Sequence, residues 1–309
     1  MTATYRFRIV FSGVLLGTLS LFAGCGPGEN RHPLTQSDTD VVAQMRSQIN
    51  VGGGGGGAGA GAELTPTGFA NIRGTVTLNG SAPALAPISV TGGDAAICSP
   101  GGQIPPNQAI VVGPNNGLAN VLIYLDMTVP ESWEHDDYLA TKDALLAGEQ
   151  GFDQKACVFL SHVFAMRSTQ SVEIINSDPV GHNTNIAPSR GAQQSNNTLP
   201  SNSKSVYSPG GETAAPFKVT CAIHPWMSAW MITRDNPYFA VTKPDGSFEI
   251  KNVPAGVPLR FRIWQEAAPL KEVTINNEVT PLKKGRLNLT LQPQEEKEMS
   301  IVVDAGVFQ

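Results

Sequence analysis

Charge is scarce in this chain. Only 15% of its 309 residues are Asp, Glu, Lys or Arg, and the formal balance is −5. A net negative surface does not supply the basic footprint that a phosphate backbone demands, so no nucleic acid is expected as a partner. Histidine is scarcer still, with five residues: His32, His135, His162, His182 and His224. The chain has no GxSxG nucleophile elbow and no HExxH helix. Its polyglycine run lacks the strand–helix context of a dinucleotide or phosphate loop. Trp133, Tyr238 and Trp264 are too few to argue an aromatic platform. These absences point to a protein that is not an enzyme.

Glycine (32) and proline (23) are plentiful instead, which favours short strands and turns over long helices. The length suggests about two domains. Arg6 and Arg8 precede an apolar stretch from Ile9 to Ala23, followed by "LFAGC". This reads as a secretion signal, too short and too interrupted by Ser and Gly to span a membrane. The small residues before Cys25 resemble a bacterial lipobox. That resemblance implies loss of residues 1–24, lipidation of Cys25 and anchoring by acyl chains; a plain signal peptide with an incidental cysteine is the alternative. Losing Arg6 and Arg8 takes the charge from −5 to −7. Residues 25–67 read as a flexible linker, with "VGGGGGGAGAGA" from Val51 to Ala62 unable to bury apolar surface.

The stretch "FKVTCAIHPWMSAWM", Phe217 to Met231, carries the chemistry. Phe217, Val219 and Cys221 alternate with Lys218 and Thr220, the period of a half-buried strand ending at Cys221. Pro225 calls for a turn. Such a turn can aim the Cys221 sulfur, the His224 ring and the Met227 thioether at one point. Thiolate, imidazole and thioether together suit copper, whereas zinc does not ordinarily take Met; a buried strand end with a chance composition is the bland alternative. A second histidine stands in "VEIINSDPVGHNTNI", where a strand runs into a polar loop carrying Gly181–His182–Asn183.

A strand ending in Asn, a loop with His–Asn, and a later strand ending in C-x2-H-x2-M resemble the type 1 copper pattern of the cupredoxins. "CAIHPWM" is similar to the amicyanin ligand loop and "GHN" to the azurin loop. The resemblance implies an all-β, Greek-key cupredoxin sandwich over residues 68–235 holding one copper ion. His182, Cys221 and His224 would form the equatorial plane, with Met227 axial and the Gly181 carbonyl opposite. Asn183 would tie the His182 loop to the Cys221 side. His224, flanked by Pro225 and Trp226, would present its far ring edge to solvent as the port for electrons. Trp226 packed inward against the C-terminal sandwich is the alternative. Five histidines are too few for a multicopper oxidase.

With Cys25 assigned to lipid and Cys221 to metal, Cys98 and Cys157 remain, and in an exported protein the pair reads as one disulfide. Two buried thiols or extra metal ligands are the alternatives. His162 reads as a hydrogen-bonded structural histidine or a further ligand. "SWEHDDYLATKDALLAGEQ" reads as a helical insertion and "QAIVV" as a strand.

Beyond Asp235, "NPYFAVTKPDGSFEIKNVPAGVPLRFRIWQE" alternates strands with PDG and PAG turns. Residues 236–309 resemble the carboxypeptidase regulatory-like, prealbumin-type β-sandwich. The whole run resembles bacterial exported proteins, often labelled methylamine-utilisation or cupredoxin-like, that join these two units. The implied role is one-electron shuttling, lipid-anchored and facing the periplasm or cell exterior, with a periplasmic redox protein such as a c-type cytochrome or dehydrogenase as partner. Copper storage or delivery, and a structural lipoprotein with a vestigial copper site, are the rival roles.

Overall fold

The structure is a computed structural model that describes residues 64–309. The expected signal peptide, Cys25, His32 and the polyglycine run lie outside the described residues. From Glu63 onward the chain is one compact unit, and it is nearly all β.

Four sheets stack as two sandwiches. The first sandwich carries the motif residues. One of its sheets orders strands Val163–Arg167, Ser228–Arg234, Phe217–Thr220, His182–Ile186 and Ser195–Leu199. The facing sheet orders Ser203–Tyr207, Ser171–Asn176, Phe152–Lys155 and Val158–Phe159, with Leu145–Leu146 beside Ser171–Asn176. Phe152, Val172 and Ile174 from one layer meet Met166, Ile186, Val219 and Met231 from the other in a shared core.

The second sandwich departs from the expected division at residue 235. Gly68–Asn79 lies inside the sheet of the C-terminal strands, between Ser247–Ala255 and Glu296–Asp304. Leu122–Leu125 lies between Phe239–Val241 and Pro258–Trp264 in the facing sheet, whose far edge is Arg286–Thr290. The chain thus builds one sandwich, leaves it to make the other, and returns. Sequence periodicity misses this because the pairing of Gly68–Asn79 with Glu296–Asp304 is parallel and joins distant segments. Loop closure of that kind leaves no local turn signature.

Stacking also explains a continuous apolar run. All four residues of "LIYL", Leu122–Leu125, are buried. Ile123 and Leu125 join the second core, while Leu122 and Tyr124 meet Val163 and Ile232 of the first sandwich. A strand covered on both faces loses the in–out alternation. Buried Arg234 crosses the same seam, donating to the carbonyls of Thr213 (3.2 Å) and Leu125 (2.9 Å).

Two local expectations change. The "SWEHDD" insertion is a 3₁₀ turn at Glu131–Trp133 and one helical turn at Asp136–Leu139, whose first turn His135 caps by accepting from the Asp137 amide at 3.2 Å. "QAIVV" forms only a bridge from Val112 to Leu118. The PDG turn is as expected: Gly246 has φ +79°, and a Cβ there would meet the Val76 carbonyl oxygen at 2.1 Å.

The fragment 236–309 is therefore expected to be unfolded when expressed alone, because each of its sheets lacks an interior strand. Circular dichroism and a melting curve check this; a cooperative β melt from that fragment would refute the interleaved assignment.

Candidate metal centre

Antiparallel pairing places the two halves of the motif at one end of one sheet. Thr220 pairs with Asn185 and Val219 with Ile186, so the start of the His182 strand abuts the end of the Phe217 strand. Phe217–Thr220 also pairs with Ser228–Arg234, with Thr220 opposite Ser228. Cys221 and Met227 follow as the next facing pair, linked from the Cys221 amide to the Met227 carbonyl at 3.3 Å. Residues directly opposed across a hairpin point to the same face. Both point inward, and the turn closes with the Met227 amide donating to the His224 carbonyl at 2.9 Å.

The ligand atoms of His182, Cys221 and His224 all lie within 4.8 Å of one another. The two Nδ1 atoms face each other at 2.8 Å, and Cys221 Sγ stands 3.9 Å from His224 Nδ1. His182 is fully buried, and Cys221, His224 and Met227 are each 2% exposed or less. The Cys221 sulfur accepts from the Asn183 and His224 amides, each at 3.4 Å.

The far ring nitrogens decide the chemistry. His182 Nε2 lies 2.7 Å from Asp178 Oδ2 and His224 Nε2 lies 3.1 Å from Asp94 Oδ2. A carboxylate only accepts, so each Nε2 turns a proton to its carboxylate and each Nδ1 is left facing the other ring. Burial pushes the His182 ring below its usual pKa, against the pull of Asp178. At 2.8 Å the two Nδ1 atoms can be bridged by a shared proton or by a metal ion. Two imidazoles and a thiol, with buried Met227 paired to Cys221 across the turn, are a donor set suited to copper.

Asn183 locks the loop from the side. Its Oδ1 accepts from the Ala222 amide and its Nδ2 donates to Asn196 Oδ1. Gly181 is not sterically required, since a Cβ there would meet only the Leu199 carbonyl oxygen at 3.7 Å.

The expected solvent-facing port is different. The far side of His224 is covered by Asp94 rather than open to water. Trp226 is half-buried against the first core and donates from Nε1 to the Cys157 carbonyl at 3.1 Å. It turns inward, toward the disulfide rather than the C-terminal sandwich. Ala222, Ile223 and Pro225 are the exposed apolar residues of the loop.

Cys98 and Cys157 are bonded, with Cα atoms 5.2 Å apart and a sequence separation of 59. A loop of that length gives a crosslink worth about 4 kcal/mol in the chain-entropy picture. Asp178 also accepts from the amides of Ala156 (2.6 Å) and Cys157 (2.8 Å), and so joins the disulfide turn to His182. Sequence reasoning passed over Asp178 as part of a polar loop, although it stands four residues before His182. Asp94, 130 residues from its histidine, leaves no sequence signal. His162 is outside this cluster: it is buried and pairs through Nε2 with Glu266, which also accepts from Trp230 Nε1 at 2.6 Å.

No protein-family model and no curated protein matches the chain. Among solved structures it is similar to a Cu-containing nitrite reductase from Thermus scotoductus SA-01, at 15% identity and a TM-score of 0.25 over 27% of this chain and 22% of that one. The alignment thus spans about a fifth of that reductase. A purple cupredoxin from Nitrosopumilus maritimus aligns at 20% identity and a TM-score of 0.22, over 26% of this chain and 85% of that one. An oxidised amicyanin mutant aligns at 13% identity and a TM-score of 0.24, over 26% and 78%. Likeness at this level defines no function, and the chemistry of the site stands on its own residues.

Asn183→Ala would take the acceptor from the Ala222 amide. It is expected to destabilise the metal-free protein by about 1 kcal/mol, read from urea denaturation. Wild-type stability in that variant would show that the clamp does not hold the loop.

Proposed function

We propose that the chain is a mononuclear cupredoxin-type copper protein that passes single electrons to and from an exported redox protein. The observation that carries this reading is the meeting of the two Nδ1 atoms beside the Cys221 sulfur, with each far ring nitrogen tied to a carboxylate. His182, His224 and Cys221 would hold the ion, with Met227 as the weak axial ligand. Bound there, copper supplies a one-electron Cu(II)/Cu(I) couple tuned by the axial ligand and by the surroundings of the sulfur.

The rest of the work belongs to the protein. The hairpin brings Cys221 and Met227 to one face before any metal arrives. Asp178 and Asp94 orient the rings. Two backbone amides aimed at the sulfur stabilise negative charge on it. A rigid, dry shell keeps the ligands in place in both oxidation states, which lowers the reorganisation that electron transfer requires. The site thus carries electrons and is not catalytic.

An export route is supported by the Cys98–Cys157 disulfide, which belongs to oxidising compartments. No helix among the described residues is long and apolar enough to cross a membrane. Attachment would fall to the lipidated Cys25 and its linker, leaving the site free to meet a c-type cytochrome or dehydrogenase. The coverage of His224 by Asp94 favours a second reading, in which the same site holds copper for storage or delivery.

Copper-loaded wild type is expected to show the intense visible thiolate-to-Cu(II) absorption of a type 1 site. Cys221→Ser should abolish that band, while Met227→Gln should retain copper and lower the potential in voltammetry. Repeated oxidation and reduction without metal loss would separate electron transfer from storage. A colourless protein saturated with Cu(II) would sink the electron-transfer reading.

A further inference from the structure

Two further sulfurs stand beside the copper ligands. The sulfurs of Cys98 and Cys157 and a ring nitrogen of His224 all lie within 4.8 Å of one another. So do Cys157 Sγ, a carboxylate oxygen of Asp178 and a ring nitrogen of His182. The disulfide therefore packs directly on both histidines. As a disulfide its sulfurs are poor metal ligands, but as thiols they would be among the softest donors available, the class that selects Cu(I).

The segment carrying Cys98 is built to move. No sheet strand lies between Asn79 and Leu122. Within it, the turn from Asp94 to Cys98 is flanked by Gly92–Gly93 and Gly101–Gly102. A Cβ at any of these four would meet nothing within 4 Å, and three of them have positive φ. Unpacked glycines on both sides make hinges. Two links hold the turn down on the metal end: Asp94 against His224 at 3.1 Å, and the disulfide itself.

We propose that the Cys98–Cys157 disulfide masks a second, thiol-based Cu(I) site that shares His224. A dithiol reductant would deliver two electrons and two protons to the S–S bond, becoming a disulfide itself and leaving two thiols. Each thiol then gives up its proton as it binds Cu(I). The two sets share one imidazole, so copper passes between them without leaving the pocket. The redox state of the disulfide sets how tightly the protein keeps Cu(I). The inference leans on the copper reading only through this shared residue, and the two fail separately in one experiment.

Full-length protein, untreated or reduced with a phosphine that is then removed, is alkylated under anaerobic conditions with and without Cu(I). Each cysteine is followed by peptide mass mapping, and Cu(I) affinity is read by competition with a chromophoric chelator. In untreated protein, Cys221 should be shielded by Cu(I) while Cys98 and Cys157 stay unlabelled throughout. In reduced protein, Cys98 and Cys157 should label freely without copper and at least tenfold more slowly with it, and Cu(I) should be held at least tenfold more tightly. His224→Gln should remove that shielding from the reduced pair. Equal labelling of Cys98 and Cys157 with and without Cu(I) overturns the masked site. So does shielding that survives His224→Gln, since an unfolded chain with two thiols would show the same. Loss of Cys221 shielding with Cys98 and Cys157 still protected would instead overturn the proposed function and leave the masked site standing.

Discussion

Two imidazole nitrogens facing each other at 2.8 Å, out of reach of bulk water, set the terms for everything around them. Neither ring can turn its Nδ1 away, because each far nitrogen is committed to a carboxylate. Burial works against a charged imidazole at His182. A shared proton or a metal cation between the rings would satisfy the geometry. In solution such a pair would rotate apart; here the sheet register, the closed Cys221–Met227 turn and the Asn183 clamp forbid it.

Holding these groups at fixed distances calls for a stiff frame, and the interleaved architecture supplies one. The sandwich that holds the candidate metal centre leaves the second sandwich after the interior strand Leu122–Leu125 and rejoins it at Phe239–Val241, the edge strand paired with Leu122–Leu125. Its chain ends are therefore pinned, not free to fray. The seam between the sandwiches is also crossed by buried polar groups: Arg167 reaches Glu134 and the carbonyls of Tyr138 and Asp235, as Arg234 reaches Leu125 and Thr213. Removing one partner from a buried, hydrogen-bonded charge leaves the other uncompensated, at about 3–5 kcal/mol. Sliding of one sandwich on the other would break several such contacts together.

How much of this was legible in the sequence follows from the range of each interaction. His182, Cys221 and His224 come together in space, and Met227 faces Cys221 across the turn, because hairpin register and a strand-end loop are local devices. The all-β class and the PDG turn were equally readable. The division at residue 235 was not, because Gly68–Asn79 looks like any amphipathic strand and nothing in its residues names a partner more than two hundred positions away. The one-turn helix at Asp136–Leu139 replaces a longer expected helix because its neighbours, strand Leu145–Leu146 among them, are taken up by tertiary pairing. Asp94 was invisible for the same reason as the parallel strand: only folding brings it to His224.

For the proposed electron transfer, the coverage of His224 decides how a redox partner would have to dock. An imidazole edge at the surface would let electrons leave through the ligand itself. With Asp94 over the ring and Trp226 turned toward Cys157, the exposed apolar residues of the ligand loop are Ala222, Ile223 and Pro225. Ile223 is 46% exposed and Ile97, on the Cys98 turn, 43%. A partner docking on these side chains would meet a small apolar surface, which suits brief encounters and fast release. Its electron would then cross the loop backbone or the Asp94-bearing turn before reaching a ligand. Any loosening of that turn would shorten the path and at the same time uncover the sulfurs beneath it. On the proposed function, electron delivery and metal retention would thus be coupled through one short segment, which the disulfide ties to the site.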